Sequence, residues 1–159
     1  MKPLVVFYSR TGTTKRVGET LAKTLGCDKE ELIDKRKRSG PIGFVRAGRD
    51  AQGKKLTTLA EIKYDPASYD LVILGTPIWG GTLSSATRTY IVNNRDKFKR
   101  VAFFCSQGGT DNRKVFDEMA KLCAKEPVSA LGLQQKDVRA DAYQDKILQF
   151  VEQLGTVQE

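Results

Sequence analysis

The sequence predicts a parallel α/β sheet covered by helices on both faces. Three observations lead there. Short, continuous apolar runs rich in β-branched and aromatic residues recur along the chain, as in strands buried on both sides. Amphipathic stretches at helical spacing alternate with them from end to end. The length of 159 residues suits one domain, spanning 1–159, with no repeat, low-complexity segment or linker to divide it.

The first strand is Leu4-Val5-Val6-Phe7-Tyr8. After the polar turn Ser9–Thr14, the spacing of Val17, Leu21 and Leu25 predicts a helix over Thr14–Leu25, with Gly26 as its stop. Glu31-Leu32-Ile33 is a short second strand. Pro41 can open a helix that carries Phe44, Val45, Ala47 and Ala51, although Gly43, Gly48 and Gly53 weaken it. Leu71–Leu74 is the third strand and Leu83–Val92 reads as helical. Val101–Phe104 is the fourth strand. Asp111 or Asn112 then caps a helix with Val115, Phe116, Met119, Leu122 and Cys123 inward. Val128–Leu133 is a fifth strand interrupted by Gly132, and Asp141 opens a last helix with Ile147, Leu148, Val151 and Leu154 inward.

Composition narrows the chemistry. Hydrophobic residues make up 40% and charged residues 29%, which fits a folded chain rather than a disordered one. No apolar run approaches the roughly 20 residues of a membrane helix. The residues after Met1 lack the order of a signal peptide, so a cytoplasmic protein is expected. Cys27, Cys105 and Cys123 are far apart and form no CxxC, which points to neither a disulfide framework nor a zinc site. The chain has no histidine, which excludes Ser-His and Cys-His nucleophile pairs and histidine-bound metals. A borrowed cofactor becomes the natural source of any chemistry.

The net charge is +8, and the stretch Asp34–Lys55 holds eight basic and two acidic residues. It reads either as a solvated face or as a docking patch for an acidic protein, with anionic lipid and nucleic acid as further partners. Nucleic acid ranks last, because no aromatics interleave with the charges.

In open parallel sheets ligands bind beyond the carboxyl ends of the strands, where strand order reverses. For the order 2-1-3-4-5 that place lies between the first and third strands. It selects the loops 9–14, 75–81 and 105–111. Ser9-Arg10-Thr11-Gly12-Thr13-Thr14 sets four hydroxyls and a glycine at a helix N-terminus, where unpaired N–H groups and the helix dipole favour an anion. No Gly-Lys-Ser/Thr is present, so the pattern suits a phosphate monoester rather than a nucleoside triphosphate. Gly75-Thr76-Pro77-Ile78-Trp79-Gly80-Gly81 contains the one tryptophan. It can seal the sheet end or offer its face to a planar ring. Cys105-Ser106-Gln107-Gly108-Gly109-Thr110 supplies small residues and backbone amides, and Cys105 reads as a buried small hydrophobe rather than a nucleophile.

These three loops, each at its place in the fold, resemble the flavodoxin family over nearly the whole chain. The absence of a long insertion near the last strand matches its short-chain branch. The resemblance implies a flavodoxin-like three-layer α/β sandwich with a five-stranded parallel sheet in the order 2-1-3-4-5, and a noncovalent FMN. It implies that Ser9, Arg10, Thr11, Gly12, Thr13 and Thr14 hold the phosphate. It places Thr76, Pro77, Ile78, Trp79, Gly80 and Gly81 beside the isoalloxazine ring, and Cys105, Ser106, Gln107, Gly108 and Gly109 along its pyrimidine edge. In the family a peptide next to the ring turns over on one-electron reduction, and Gly80, with Gly81, matches that place. No metal is implied.

Two departures stand out. Flavodoxins are acidic and this chain is basic. Many also stack a second aromatic from the third loop on the ring, and none lies between Cys105 and Asn112. The leading expectation is an FMN electron carrier whose acidic redox partner docks near Lys35, Arg36, Lys37, Arg38, Arg46 and Arg49. The alternative is an FMN-dependent NAD(P)H:quinone reductase or a related flavodoxin-like dehydrogenase, favoured by the open ring face and the positive charge. A phosphate-receiving signalling domain would need carboxylates where the first strand ends in Tyr8-Ser9-Arg10.

Overall fold

A computed structural model describes residues 1–109 and 111–156 of the chain. Strand β1 (Pro3–Phe7) lies between β2 (Asp28–Glu31) and β3 (Leu71–Trp79), and β5 (Val101–Gln107) and β6 (Ala130–Gln134) extend the sheet. The order β2-β1-β3-β5-β6 is parallel throughout, with Val5 opposite Ile73 and Gly75 opposite Phe104. The short β4 (Thr82–Leu83) folds back antiparallel on the end of β3. The two-residue period of a strand sends Leu4, Val6 and Tyr8 to one face and Val5 and Phe7 to the other.

The first face packs on α3 (Ser85–Asn94) and α4 (Arg113–Cys123) through Tyr90, Ile91, Val115 and Met119. The second packs on α1 (Thr13–Leu25) and α6 (Gln144–Thr156) through Val17, Leu21, Ile147, Phe150 and Leu154. Both layers of this sandwich were expected from the sequence. Gly75 is required where it stands, because a Cβ there would sit 2.0 Å from Phe104 Cζ.

Several boundaries differ from the sequence reading, each for a local reason. The second strand is Asp28–Glu31 rather than Glu31–Ile33. It is an edge strand paired only with β1, and charged side chains suit an edge. Its one buried side chain, Glu30, accepts hydrogen bonds from the N–H groups of Lys63 and Tyr64 at 2.6 and 3.0 Å. Helix α3 starts at Ser85 instead of Leu83, because the Ser84 hydroxyl caps it by accepting from Thr87 N–H at 3.2 Å. Asp111 accepts from Arg113 N–H at 3.1 Å at the start of α4. The last helix begins at Gln144. Asp141, in a left-handed conformation (φ 58°), instead follows the short helix α5 (Gln135–Arg139). Phe150 replaces Leu148 on its inner face.

Helix α2 (Gly40–Gln52) forms despite its glycines, and for a reason the glycines supply. A Cβ on Gly43 would lie 2.2 Å from the Arg38 carbonyl carbon, so the helix can approach that segment only with glycine there. Its inner face is Gly43, Ala47, Asp50 and Ala51, whereas Phe44 and Val45 are exposed. Among the described residues no helix is long and apolar enough to cross a membrane.

Candidate functional site

The carboxyl ends of β1, β3 and β5 bring the three loops together. After β1 the chain turns at Gly12, whose left-handed φ of 104° is natural for glycine alone. The Ser9 hydroxyl accepts from Gly12 N–H at 3.0 Å and fixes this bend. Helix α1 then begins with no side-chain cap and no acidic residue in its first turn, so its N–H groups and dipole are left for an anion. A Cβ on Gly12 would meet nothing within 4 Å, so the bend faces open space. Of the other hydroxyls, Thr11 is exposed and Thr13 half-buried, whereas Thr14 is buried and shares a 2.8 Å hydrogen bond with Ser106. That bond ties the first turn of α1 to the end of β5, which runs Val101–Gln107.

The second segment is a β-hairpin rather than a loop. Strand β3 runs through Trp79, Trp79 pairs with Thr82, and Gly80 (φ 56°) and Gly81 (φ 81°) form the two-residue turn. Positive φ at both turn residues is the type I′ geometry that fits strand twist. Thr76 and Pro77 are therefore buried in the strand. The Thr76 hydroxyl donates to Pro77 C=O at 2.8 Å and accepts from Ser84 N–H at 3.0 Å, so it supports the hairpin instead of lining a cleft.

Trp79 is half-buried and held from two sides. Tyr8 meets its ring edge-to-face at 5.3 Å, and the Arg38 guanidinium lies 5.9 Å from its centroid. Burial, with the charge of Asp34, pushes the Tyr8 hydroxyl up to about 12, against the pull of Arg38 and Arg10.

The third loop is likewise shorter than the sequence suggests, since β5 runs to Gln107. Cys105 and Ser106 are buried within it, and burial pushes the Cys105 thiol up to about 12, in keeping with a packing role. Gly108 and Gly109 are exposed with open space where a Cβ would stand. Thr110 lies outside the described residues.

Sequence reasoning missed the part played by α2. A cavity of about 390 Å³ lies between this helix and the hairpin, lined by Arg10, Phe44, Val45, Gln52, Ile78 and Trp79 among others. The Arg10 guanidinium rests 5.2 Å from the Phe44 ring centroid. Gly43, with no side chain to hold the helix off the Arg38 backbone, was the one signal in the sequence that a helix packs closely here.

Arg38 corrects the predicted docking patch. It is 4% exposed and bridges Asp34 at 3.0 Å and Asp50 at 2.5 Å. Burial opposes its charge, but the hydrogen bonds and charges of Asp50 and Asp34 outweigh it and hold the guanidinium above its ordinary value. It braces the interior and cannot meet a partner. Lys35, Arg36, Lys37 and Arg49 are exposed, and Arg46 is half-buried. Among the described residues no group of three or more His, Cys, Asp or Glu side chains could hold a metal.

No family model matches the chain, and no curated protein matches it by sequence. Solved structures do. A Lactobacillus acidophilus flavoprotein in complex with FMN is 19% identical, with a TM-score of 0.71 over 87% of this chain and 97% of that one. A Bacteroides eggerthii protein assigned as a flavoprotein is 24% identical, with a TM-score of 0.72 over 92% and 98%. Two-electron-reduced Megasphaera elsdenii flavodoxin is 19% identical, with a TM-score of 0.53 over 82% and 85%. What these proteins share with the chain is the sheet order and its helical layers: the chain has the flavodoxin-like fold.

Proposed function

We propose that the chain binds FMN without a covalent bond and uses it to pass electrons to and from a partner protein. The observation that carries this reading is the bend at Gly12. An uncapped helix start, two available hydroxyls on Thr11 and Thr13, and no nearby carboxylate in the first turn suit a phosphate monoester. The flavin supplies the one- and two-electron chemistry when bound. The chain's own residues bind and orient it. Arg10 would add positive charge to the site, Trp79 would offer an aromatic surface held by Tyr8 and Arg38, and Gly108 and Gly109 would offer backbone with no side chains in the way. Solved flavoproteins of this fold, one of them with FMN, support the same assignment.

The hairpin offers a way for its turn to change state. Turning over the Gly80–Gly81 peptide converts a type I′ turn into a type II′ turn, and both close a two-residue hairpin. The pairing of Trp79 with Thr82 can therefore survive the flip, which would present or withdraw the Gly80 carbonyl on the cavity side of the hairpin where a flavin would lie.

Titrating FMN into the purified protein while following the emission of Trp79, the sole tryptophan, tests the reading. Saturable quenching is expected, and unchanged emission at FMN concentrations of about 0.5 mM contradicts it. The cavity beside Trp79 favours a second reading, an FMN-dependent NAD(P)H:quinone reductase, because it gives a small apolar acceptor a place next to the ring. Steady-state turnover of NADPH and a quinone by the FMN-loaded protein selects the enzyme; its absence selects the carrier.

A further inference from the structure

We propose that the outer face of α2 seats an acidic segment of a partner protein that inserts one apolar side chain. This names the partner chemistry for the electron-transfer reading above, although the docking itself needs no flavin. Seven large hydrophobic side chains are exposed among the described residues, and five of them, Ile33, Ile42, Phe44, Val45 and Leu56, fall between positions 33 and 56. On α2 the small residues face inward and the bulky ones outward, with Ile42 75% exposed, the reverse of a helix that serves only the core.

Most cations of the same stretch are uncompensated. The two carboxylates of the stretch 34–55, Asp34 and Asp50, are buried and turned to Arg38, with Arg36 reaching Asp50 at 3.2 Å. Among the described residues Lys35, Lys37, Arg46, Arg49 and Lys55 have no carboxylate partner. A partner bringing carboxylates would supply what the chain itself has turned inward.

Shape selects a protein segment over the other anionic surfaces. A groove of about 660 Å³ runs along α2, with Ile42 and Val45 beside Arg36, Arg46, Arg49 and Lys55 and one carboxylate, Asp50, which Arg36 and Arg38 already hold. A flat bilayer does not fill a groove, and a second copy of this chain would bring the same positive charge against it. Val45 and Arg49 also line the cavity beside Trp79, so the groove adjoins the candidate electron-transfer edge.

The test uses the full chain, with and without FMN, and two fluorescein-labelled acidic peptides of equal charge, one with a central leucine and one with serine in its place. The leucine peptide is expected to bind about fivefold or more tightly than the serine peptide, and roughly tenfold more weakly as salt rises from about 50 to about 300 mM. Ile42→Ser should remove the preference for leucine, and Arg46→Glu should weaken both peptides about tenfold. Circular dichroism and FMN affinity, unchanged in both variants, show that the fold is kept. Equal binding of the two peptides, or no binding at about 1 mM, overturns the proposal. So does tighter binding to phosphatidylglycerol vesicles, or concentration-dependent self-association blocked by Ile42→Ser. Because apoprotein and FMN-loaded protein are read side by side, failure to bind FMN leaves this result standing or falling by itself.

Discussion

Arg38 closes the segment between β2 and α2, and it does so from the interior. Its guanidinium joins Asp34 and Asp50, lies over Trp79, and keeps one buried nitrogen without a hydrogen-bond partner. Arg38→Met would leave two buried carboxylates without their main cation. Removing one partner from a buried ion pair costs about 3–5 kcal/mol, so urea unfolding should show a loss of that size. A loss below about 1 kcal/mol would mean that water reaches the cluster. The sequence could not reveal this role. In the run Lys35–Arg38 four cations read alike, and only the fold brings the fourth against Asp50, twelve residues on. The bend at Gly12 was more legible, because Gly12 and the hydroxyl residues around it are contiguous and a strand-to-helix turn fixes where they stand. Of the four hydroxyls only Thr11 and Thr13 have no hydrogen-bond partner among the described residues: Ser9 accepts from Gly12 N–H, and Thr14 pairs with Ser106 across 92 residues, which sequence spacing could not show.

At the scale of elements, the strand runs Leu4–Tyr8, Leu71–Leu74 and Val101–Phe104 placed the central sheet, because a strand buried on both faces announces itself in sequence. Their far ends did not show. Strands β3 and β5 extend through Trp79 and Gln107, where Gly, Thr, Pro and Ser suggest a loop and pairing with each other, with β4 and with β6 keeps the chain extended. The hairpin turn gives a specific prediction. Gly81 has φ 81°, and a Cβ there meets nothing within 4 Å. Gly81→Ala therefore disfavours the I′ turn by about 1–2 kcal/mol while leaving II′, in which that residue has negative φ, unstrained. If the present turn belongs to the oxidised protein, the first one-electron potential should rise by roughly 45–85 mV in a spectroelectrochemical titration. An unchanged potential would show that this peptide does not turn over on reduction.

Across the whole molecule, charge and buried ionisable groups set the response to solution conditions. In a chain of net charge +8, one unit of charge difference about 12 Å from a bound flavin is worth roughly 1–1.5 kcal/mol at an effective dielectric near 20. The low-potential couple should therefore lie about 50–60 mV less negative than in an acidic flavodoxin, and redox titration reads it directly. In alkali the buried acids matter. Burial pushes the thiol of Cys27 to about 11 and those of Cys105 and Cys123 to about 12, from an ordinary 9.0. Tyr8 likewise rises to about 12 from 10.0.

Between those limits the unfolded chain has released protons that the folded chain still holds, so unfolding becomes easier as pH rises. Urea midpoints should be insensitive to these four groups below about pH 8 and fall steadily from about pH 9 towards 12. Glu118 acts at the other end. Burial resists its ionisation, but hydrogen bonds from Thr82 and Arg88 and the charges of Arg88 and Lys54 prevail and hold its carboxyl below the usual range. Its contribution is lost as pH falls through that lowered value. The central claim, that the bend at Gly12 grips a phosphate, is tested most directly by calorimetry comparing FMN with riboflavin. The account predicts that FMN binds at least about 100-fold more tightly, because the two share a ring and differ only in the phosphate. Equal affinity for the two, or no heat with either, would contradict it.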